Sequence, residues 1–510
     1  MPPNKNGKEV CFLTRRKKVK RLVYIGIPVA LALLIGAAAI TYFSQMRLQK
    51  PVEMNMAHHT MGDMAGMEHM EHMAGMEGSS SEGGVSCDSL TAPESTAPIR
   101  NFDLIAEQTT VKPDNGKTVK AWTFNGSSPG PELRVTEGDK VVITLHNKDI
   151  EDGVSIHWHG IAVPCSQDGI AGVTQDAVAP GGQFTYTFIA PTTPGTYWYH
   201  SHQMSSIQVS KGLLGALIVE AKAASESGSP IMEATALYQQ LGSSILLNGS
   251  TKGLAVPGKP GEQVRLRLIN AGNETMEFNV DGAPFRVVAM DGHELHEPGL
   301  LERTIVPIGA GQRYDLLIQV PRTGKVIISS PTANSLPIAI GSGSEPQHSE
   351  NGEVFSFIDY GTPLPNDADL QVQPDRHFEL NLGQTLFVKS INGKAFTDIP
   401  PMIVKEGEHV RITVSNTGGG DHPFHLHGHV FRVLSKNGIA LRGSPVYLDT
   451  LLTKKGETYE IYLEANNPGL WMVHCHNLKH ASMGMSMMLN YEGVTTPYRV
   501  GTRSGNLPDL

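Results

Sequence analysis

The chain has 510 residues, 40% of them hydrophobic, and a net charge of −9, which is long enough for about three domains of ordinary size. The charge is uneven: residues 1–50 carry ten Lys or Arg against one acid, whereas the remainder carries 31 basic and 49 acidic residues. Because an acidic body repels phosphate backbones, this balance argues against nucleic acid as a partner.

The N-terminal segment predicts membrane insertion. The basic run TRRKKVKR (14–21) precedes LVYIGIPVALALLIGAAAITYF (22–43), which contains no charged residue. This length spans a bilayer, and the basic flank predicts a cytosolic segment 1–21, a transmembrane anchor 22–43 and an extracellular remainder. A cleaved signal peptide is the alternative. In either case we expect the bulk of the chain to be exported, as a single-pass protein of the cell membrane or as a secreted one.

A flexible linker rich in methionine and histidine is predicted at 44–95. Its segment 54–77 holds eight of the chain's twenty methionines and four histidines, in short repeats such as MEHMEHM that cannot build a core. A simple spacer is one interpretation. The other is copper capture, because thioethers prefer Cu(I) and imidazole binds copper in either oxidation state.

Export places three of the four cysteines in an oxidising compartment, whereas Cys11 falls on the cytosolic side. Cys87 and Cys165 either pair, which would tie the linker to the first domain, or stay free. Cys475 is left without a partner. Because a free thiol is a liability outside the cell, a bound metal is its expected occupant.

Two sequence elements recur three times along the chain. The first begins with Asn-Gly and closes on an alternating apolar run, at 125–147, 248–270 and 392–416. The second carries two glycines thirteen residues apart, at 182–202, 311–330 and 456–476. Alternating runs of this length are typical of half-buried strands. We therefore predict an all-β protein of three β-sandwich domains in series, at 96–224, 225–362 and 363–510.

Histidine pairs distinguish the outer repeats from the middle one. At the corresponding positions the middle repeat has Ser329 and Pro331, and Asn279 and Asp281, so the shared scaffold does not require histidine. Residues two apart on a strand point to one face, and each pair thus presents both imidazoles to one site. The pairs are His157/His159, His200/His202, His425/His427 and His474/His476.

The residue types in these pairs point to copper. Eight neutral imidazoles without a carboxylate suit copper better than magnesium, calcium or manganese. Cys475 lies between two of the histidines, points to the opposite face and is predicted to bind a separate metal. Two histidines, one cysteine and a weak methionine form the blue-copper set, which His422, His480 and Met485 would complete. Zinc is the competing interpretation of the short motif HCHNLKH taken alone.

The motifs HWHG (157–160), YHSH (199–202), HPFHLHGH (422–429) and HCHNLKHASMGM (474–485) resemble the four copper motifs of the multicopper oxidases, a laccase-like family of three cupredoxin domains. The resemblance covers residues 95–495. It implies three cupredoxin-like Greek-key β-sandwiches, the middle one without copper ligands, and four copper ions. The implied ligands are His422, Cys475, His480 and Met485 for type 1, His157 and His425 for type 2, His159, His200 and His476 for one type 3 copper, and His202, His427 and His474 for the other.

The resemblance also implies the reaction. A small reductant loses electrons one at a time at type 1, through His480 and Cys475, and dioxygen is reduced to water at the trinuclear cluster. Asp168 matches a family position held to supply protons, with an ordinary Asp-Gly turn as the alternative. Ala481 stands where bacterial members often have a glutamate, which argues against a second proton relay there.

The identity of the reductant is the open question. Met485, in place of leucine or phenylalanine, implies a lower type 1 potential, which favours easily oxidised phenols, aromatic amines or metal ions. The alternative is a cuprous oxidase for copper tolerance, with Cu(I) captured by segment 54–77. The sequence does not separate the two.

Overall fold

The structure is a computed structural model that describes residues 50–57, 84–222, 231–333, 336–348, 352–365, 372–385 and 388–509. The described residues are mostly β-strands, which confirms the predicted all-β class. None of their helices is long and apolar enough to cross a membrane. The predicted cytosolic segment 1–21 and anchor 22–43 lie outside the described residues, as do residues 44–49 and 58–83 of the linker.

The first region packs two sheets around a shared core. Its elements are β1 Val85–Ser86, β2 Ile99–Val111, β3 Val119–Phe124, β4 Leu133–Thr136, β5 Lys140–Asn147, β6 His157–His159, β7 Gln183–Ile189, β8 Gly195–His200, helix α1 Ser205–Lys211 and β9 Leu214–Glu220. In the described residues the sheet orders are β3-β2-β5-β7 and β4-β9-β8-β6. Val141 of the first sheet and Leu217 of the second belong to one buried cluster, so the sheets pack face to face.

The middle region has the same construction with more strands. They are β10 Met232–Leu241, β11 Ser244–Leu247, β12 Leu254–Val256, β13 Gln263–Ala271, β14 Met276–Asp281, β15 Phe285–Met290, β16 His293–Glu294, β17 Thr304–Ile308, β18 Arg313–Gln319, β19 Val326–Ser329, β20 Ile338–Ile340 and β21 Glu353–Val354. Two sheets result among the described residues, ordered β11-β10-β13-β18-β15-β16 and β12-β20-β19-β14-β17-β21. Leu316 and Ile328, one from each sheet, lie in a common core.

The last region carries most of the motif residues. Its elements are β22 Arg376–Thr385, β23 Val388–Ile391, β24 Met402–Val404, β25 His409–Asn416, β26 His422–Leu426, β27 Phe431–Lys436, β28 Ile439–Ala440, β29 Tyr447–Leu448, β30 Thr450–Thr453, β31 Thr458–Glu464, β32 Leu470–Cys475, helix α2 Leu478–Ser482, β33 Ser486–Tyr491 and β34 Val494–Thr495. One sheet has the order β23-β22-β25-β31-β27-β28, with β29 beside β27, and the other β24-β33-β32-β26-β30. Short 3-10 helices at Cys87–Ser89, Cys165–Gln167, Pro331–Ala333 and Phe396–Asp398 complete the described elements.

The threefold repeat of the sequence recurs in the backbone. Asn125, Asn248 and Asn392 each adopt the left-handed conformation, with φ of 54°, 49° and 53°, which Asn-Gly hairpin turns require. Each side-chain oxygen accepts a hydrogen bond from a backbone N–H of the first strand of its hairpin, and each Nδ2 donates to the carbonyl two residues before that N–H. One local hydrogen-bond pattern therefore begins each of the three units.

The ends of the predicted flexible linker are packed against the body, which corrects that expectation for residues 51–57 and 84–95. Met54 exchanges two backbone hydrogen bonds with Val500, and Met56 is 1% exposed. Strand β1 pairs in parallel with β34. Cys87 forms a disulfide with Cys165, which decides between the two alternatives left by the sequence. Burial of apolar side chains and backbone pairing outweigh the polar composition at these ends.

Candidate metal centre

Strand register places the histidine pairs of the outer units at equivalent points of the fold. His157 in β6 lies opposite His200 in β8, and His425 in β26 lies opposite His474 in β32. At the same point of the middle unit, β14 and β19 pair an asparagine with a serine. The middle unit thus keeps the scaffold and carries no histidine there.

The eight paired histidines converge into one cluster, and each is at most 1% exposed. Nε2 of His427 lies 3.1 Å from Nε2 of His474, and Nε2 of His157 lies 3.5 Å from Nε2 of His425. The ligand atoms of His202, His427 and His474 lie within 4.8 Å of one another. These three are the set that the resemblance implies for one type 3 copper.

The other implied type 3 set is arranged less tightly. The ring of His476 lies 4.7 Å from that of His159 and 5.3 Å from that of His200, measured between centroids. The ligand atoms of His159 and His200 group more closely with His157. His157 also groups with His425 and His427, so it lies at the centre of the cluster.

A buried carboxylate orients two of these imidazoles. Asp168 follows the 3-10 helix Cys165–Gln167 and is fully buried. Its Oδ2 lies 2.9 Å from Nδ1 of His427, and its backbone carbonyl lies 3.1 Å from Nδ1 of His157. An N–H held in this way leaves Nε2 of each ring free as a ligand atom. The predicted proton source therefore contacts the cluster, although it also precedes Gly169 in a turn.

Several ring nitrogens of the cluster are buried without a hydrogen-bond partner. They are Nδ1 of His159, Nε2 of His200 and both nitrogens of His202 and His476. Burial, with repulsion from neighbouring imidazoles, lowers the pKa of His159, His200 and His476 well below the usual range. Neutral imidazoles with unsatisfied nitrogens are costly in a core unless a metal binds them. The residues present therefore fit a multinuclear copper site.

Cys475 forms a second site on the face of β32 opposite His474. Its Sγ lies 3.6 Å from Nδ1 of His422 and 3.6 Å from Nδ1 of His480. Met485 is fully buried, and its carbonyl accepts a hydrogen bond from the N–H of Cys475 at 3.0 Å. Burial raises the pKa of the Cys475 thiol to about 12 and lowers that of His422 to about 4. A buried thiol between two neutral imidazoles fits a blue-copper site, where the metal displaces the thiol proton.

Comparison with known families agrees with this geometry. Three family models described as multicopper oxidase match residues 105–224, 198–361 and 362–493. The chain belongs to the multicopper oxidase family. It is therefore an oxidoreductase whose cofactors are four copper ions, one of type 1, one of type 2 and two of type 3.

Curated relatives of this multicopper oxidase have different named roles. Multicopper oxidase MmcO of Mycobacterium tuberculosis is 27% identical across 74% of this chain and 84% of its own length. Laccase-2 of Botryotinia fuckeliana is 29% identical, across 77% and 82%. The copper resistance protein A homolog of Pseudomonas syringae pv. tomato is 26% identical, across 75% and 91%. The relatives support the general reaction and leave the substrate open.

Solved structures agree on the fold. A multicopper oxidase from Pseudomonas thermotolerans matches with a TM-score of 0.64 at 28% identity, over 78% of this chain and 100% of that one. The multicopper oxidase from Campylobacter jejuni, described as a metallo-oxidase, matches with a TM-score of 0.63 at 25% identity, over 80% and 94%. The predicted cupredoxin-like, all-β architecture of this multicopper oxidase is thereby confirmed.

Two lysines lie near the cysteine site of the multicopper oxidase. Lys389 is nearly buried; its N–H donates to the carbonyl of Met483 at 3.2 Å, and its Nζ donates to Oε1 of Gln384 at 2.6 Å. Lys479 is exposed on α2, next to His480. Burial and the charge of these two lysines lower the pKa of His480 to about 3. The partly exposed edge of this site is therefore cationic.

Sequence reasoning missed an ion pair beside the cluster. Nε2 of His159 lies 3.0 Å from Oδ1 of Asp449, and Nδ1 of His425 donates to the backbone carbonyl of Asp449 at 2.9 Å. Arg313, from the middle unit, binds both carboxylate oxygens of Asp449 at 2.6 and 2.8 Å. The repeat offers one sequence signal for this ion pair, because Arg313 places a charge at the position where the first unit has the apolar Phe184.

A third carboxylate, Asp509, was also missed. It lies 4.0 Å from Nε2 of His202 and 3.9 Å from Nδ1 of His474, and accepts hydrogen bonds from the hydroxyls of Ser205 and Ser486. Burial alone would raise its pKa, but the two imidazoles and the two hydroxyls hold that pKa below the usual range. No local pattern marks Asp509, because its contacts depend on the path of the last ten residues across the body.

Proposed function

We propose that this multicopper oxidase oxidises small phenols or aromatic amines by one-electron steps at a type 1 copper and passes four electrons to dioxygen at a trinuclear copper cluster. The observation that carries the proposal is the adjacency of the two sites. Cys475 of the thiolate site lies between His474 and His476 of the histidine cluster. An electron accepted beside His480 therefore needs only the Cys475 side chain and a short stretch of backbone to reach the cluster.

The proposed ligand roles are those that the resemblance implies. His422, Cys475, His480 and Met485 would hold type 1, and His157 and His425 would hold type 2. The type 3 pair would be held by His159, His200 and His476, and by His202, His427 and His474. His159 differs in its ligand atom. Its Nε2 faces Oγ1 of Thr450 and Oδ1 of Asp449, each 3.0 Å away, so Nδ1 is the nitrogen left for copper.

The chain's own side chains prepare the site for this chemistry. When bound, the coppers supply one-electron oxidation at one site and reduction of dioxygen at the other. The buried histidines exclude bulk water from the cluster, and Asp168 and Asp449 fix ring orientation. Reduction of dioxygen to water consumes protons, and we assign their delivery to the carboxyl of Asp168, whose Oδ2 and Oδ1 lie 2.9 and 3.1 Å from Nδ1 of His427 and of His157.

The charge around His480 supports an organic reductant. Lys389 and Lys479 make the edge of the cysteine site positive, which repels Cu(I) and Fe(II) and attracts neutral or anionic aromatics such as phenolates. An axial Met485 would lower the potential of type 1 copper, which favours easily oxidised substrates over recalcitrant ones.

Cuprous oxidation for copper tolerance is the second candidate, and segment 54–77 supports it. Soft thioethers in this segment would collect Cu(I), and one relative is named a copper resistance protein A homolog. Met54 and Met56 pack against the body, so the test deletes residues 58–83 only. If the segment delivers Cu(I), the deletion raises the KM for Cu(I) and leaves kcat and phenol oxidation unchanged.

Steady-state oxygen uptake by the copper-loaded protein separates the two candidates. We expect kcat/KM for a methoxyphenol to exceed the values for Cu(I) and Fe(II). A higher kcat/KM for Cu(I), lost on deletion of residues 58–83, would favour the cuprous oxidase instead.

We also propose that the protein is exported, held by segment 22–43 or released if that segment is cleaved. The disulfide between Cys87 and Cys165 supports this placement, because such bonds persist in oxidising compartments.

We further propose that the chain divides into three Greek-key domains, at 96–224, 225–362 and 363–510. The three family matches support this division.

A further inference from the structure

We infer that Arg313, in the middle unit that carries no copper ligand, is a positioning residue for the trinuclear cluster. It acts through Asp449, which holds one histidine of the first unit and one of the third. The inference rests on the proposed function, because it assigns a role relative to the proposed type 2 and type 3 coppers.

Arg313 and Asp449 form a closed ion pair in the interior, 0% and 1% exposed. Nη1 and Nη2 of Arg313 donate to Oδ1 and Oδ2 of Asp449 at 2.8 and 2.6 Å, and Nε donates to the carbonyl of Thr196 at 3.0 Å. Two parallel hydrogen bonds fix both the position and the plane of a carboxylate. Lysine has no such fork and cannot reproduce this geometry.

Asp449 uses its two kinds of oxygen on two different histidines. Its carboxylate Oδ1 lies 3.0 Å from Nε2 of His159, and its backbone carbonyl accepts a hydrogen bond from Nδ1 of His425 at 2.9 Å. The rings of His159 and His425 stack 3.9 Å apart. The hydroxyl of Thr450 lies between them, donates to Oδ1 of Asp449 at 2.8 Å and lies 3.0 Å from His159. Movement of this carboxylate would therefore disturb both rings.

Asp291, a carboxylate of the middle unit, stabilises the same ion pair. Oδ1 of Asp291 accepts a hydrogen bond from the backbone N–H of Arg313 at 2.9 Å, and Oδ2 accepts one from the N–H of Thr450 at 3.1 Å. Asp291 thus joins Arg313 to the strand that begins directly after Asp449. The pair is held from both ends.

Close packing around Arg313 leaves no slack. A Cβ added to Gly160, the last residue of the HWHG motif, would lie 2.3 Å from Nη2 of Arg313 and 2.6 Å from Oδ2 of Asp449. A Cβ on Gly311 would lie 2.8 Å from Cγ of His476. The two glycine backbones therefore lie directly against Arg313, Asp449 and His476, and in so close-packed an interior a displacement of the guanidinium is passed to the ligand strands. The middle unit therefore touches the cluster directly, although it supplies no ligand.

Loss of a partner that orients a metal ligand reduces metal affinity or activity about 10- to 100-fold. We expect Arg313→Met to change the electron paramagnetic resonance signal of type 2 copper and to speed chelator extraction of cluster copper by that factor. The blue absorption and potential of type 1 should not change. Arg313→Lys should give a smaller change in the same direction, because one hydrogen bond in place of two leaves the plane of the carboxylate free.

The matched control is Arg267→Met. Arg267 is 4% exposed, lies in the same unit and binds Asp315 and Glu233, but touches no cluster histidine among the described residues. It should lower the thermal midpoint, since it too breaks a buried ion pair, and leave the type 2 signal and copper extraction unchanged. If Arg267→Met alters the type 2 signal as much as Arg313→Met, the effect is general destabilisation and the inference is wrong.

Asp449→Asn decides the matter if Arg313→Met does not fold. The amide keeps the shape and removes the charge, and it should reproduce the altered type 2 signal with type 1 intact. A type 2 signal and extraction rate identical to wild type would overturn the inference. Failure of the proposed function is distinguishable, because the wild-type protein itself would then bind fewer than four coppers or fail to reduce dioxygen.

Discussion

The two proposed copper regions share strand β32 and differ in burial and in the charged side chains closest to them. The histidine cluster is fully buried and is bordered by three carboxylates, Asp168, Asp449 and Asp509. The cysteine site lies nearer the surface, and the charged side chains that act on His480 are Lys389 and Lys479. The difference matches the two proposed reactions. Reduction of dioxygen consumes protons and would take place among carboxylates, whereas electron transfer from the reductant needs no proton donor and would take place beside lysines.

Replacing the Cys475 thiol should have the largest effect, because it should abolish the cysteine site and leave the histidine cluster intact. In Cys475→Ser the blue absorption and substrate oxidation should vanish, because serine cannot supply the thiolate ligand. The histidine cluster should still bind copper, since no cluster ligand changes. Absorption spectra, copper content and oxygen uptake check this. A blue and active Cys475→Ser protein would contradict the assignment of both sites.

Removing one carboxylate from the cluster should slow turnover and spare the cysteine site. Asp168→Asn keeps the shape but supplies no acidic proton and weakens the hold on His427, so we expect kcat to fall about 10- to 100-fold. Copper content and type 1 colour should persist. The measurement is kcat at matched copper loading. An unchanged kcat would reduce Asp168 to a residue of the turn before Gly169.

Removing the disulfide, which supplies no proposed copper ligand although Cys165 opens the 3-10 helix before Asp168, should affect both regions equally. Cys87 and Cys165 are 78 residues apart, and replacing both by serine should lower the free energy of unfolding by about 2–4 kcal/mol, because the unfolded chain regains freedom. Denaturant unfolding measures the loss. The ratio of type 1 absorption to copper content should stay constant, and a selective loss at one site would show that the disulfide shapes that site.

Reversing one surface charge beside the cysteine site should have the smallest effect, and it tests whether the positive charge there selects the reductant. Lys479→Glu places a carboxylate beside His480 and should raise kcat/KM for Fe(II) or Cu(I) about 2- to 5-fold at low salt, with a fall for an anionic phenol, since exposed charges act weakly. The effect should disappear at high ionic strength. A salt-independent response, or none at all, would argue against electrostatic selection of the reductant.

The proposed ligand set could be read from the sequence because its motifs are local. Each pair such as His474 and His476 lies within three residues at or just beyond a strand end, and the middle repeat shows that the scaffold forms without these histidines. Arg313 and Asp449 were not predictable. They are 136 residues apart and meet only when the middle and last units assemble, and an arginine in a strand does not reveal its partner. The prediction of a flexible linker was wrong at residues 84–95 for a related reason: β34, the strand that pairs with β1 of this segment, lies at the far end of the chain.

The most direct test of the account is the stoichiometry of oxygen reduction by the copper-loaded, full-length protein. Oxygen uptake is measured with a methoxyphenol in limiting amount, and catalase is added at the end to detect hydrogen peroxide. We expect four electrons from the reductant per dioxygen consumed, no oxygen returned by catalase, and no uptake by Cys475→Ser. Two electrons per dioxygen, with oxygen released by catalase, would contradict the coupling of the cysteine site to a trinuclear cluster.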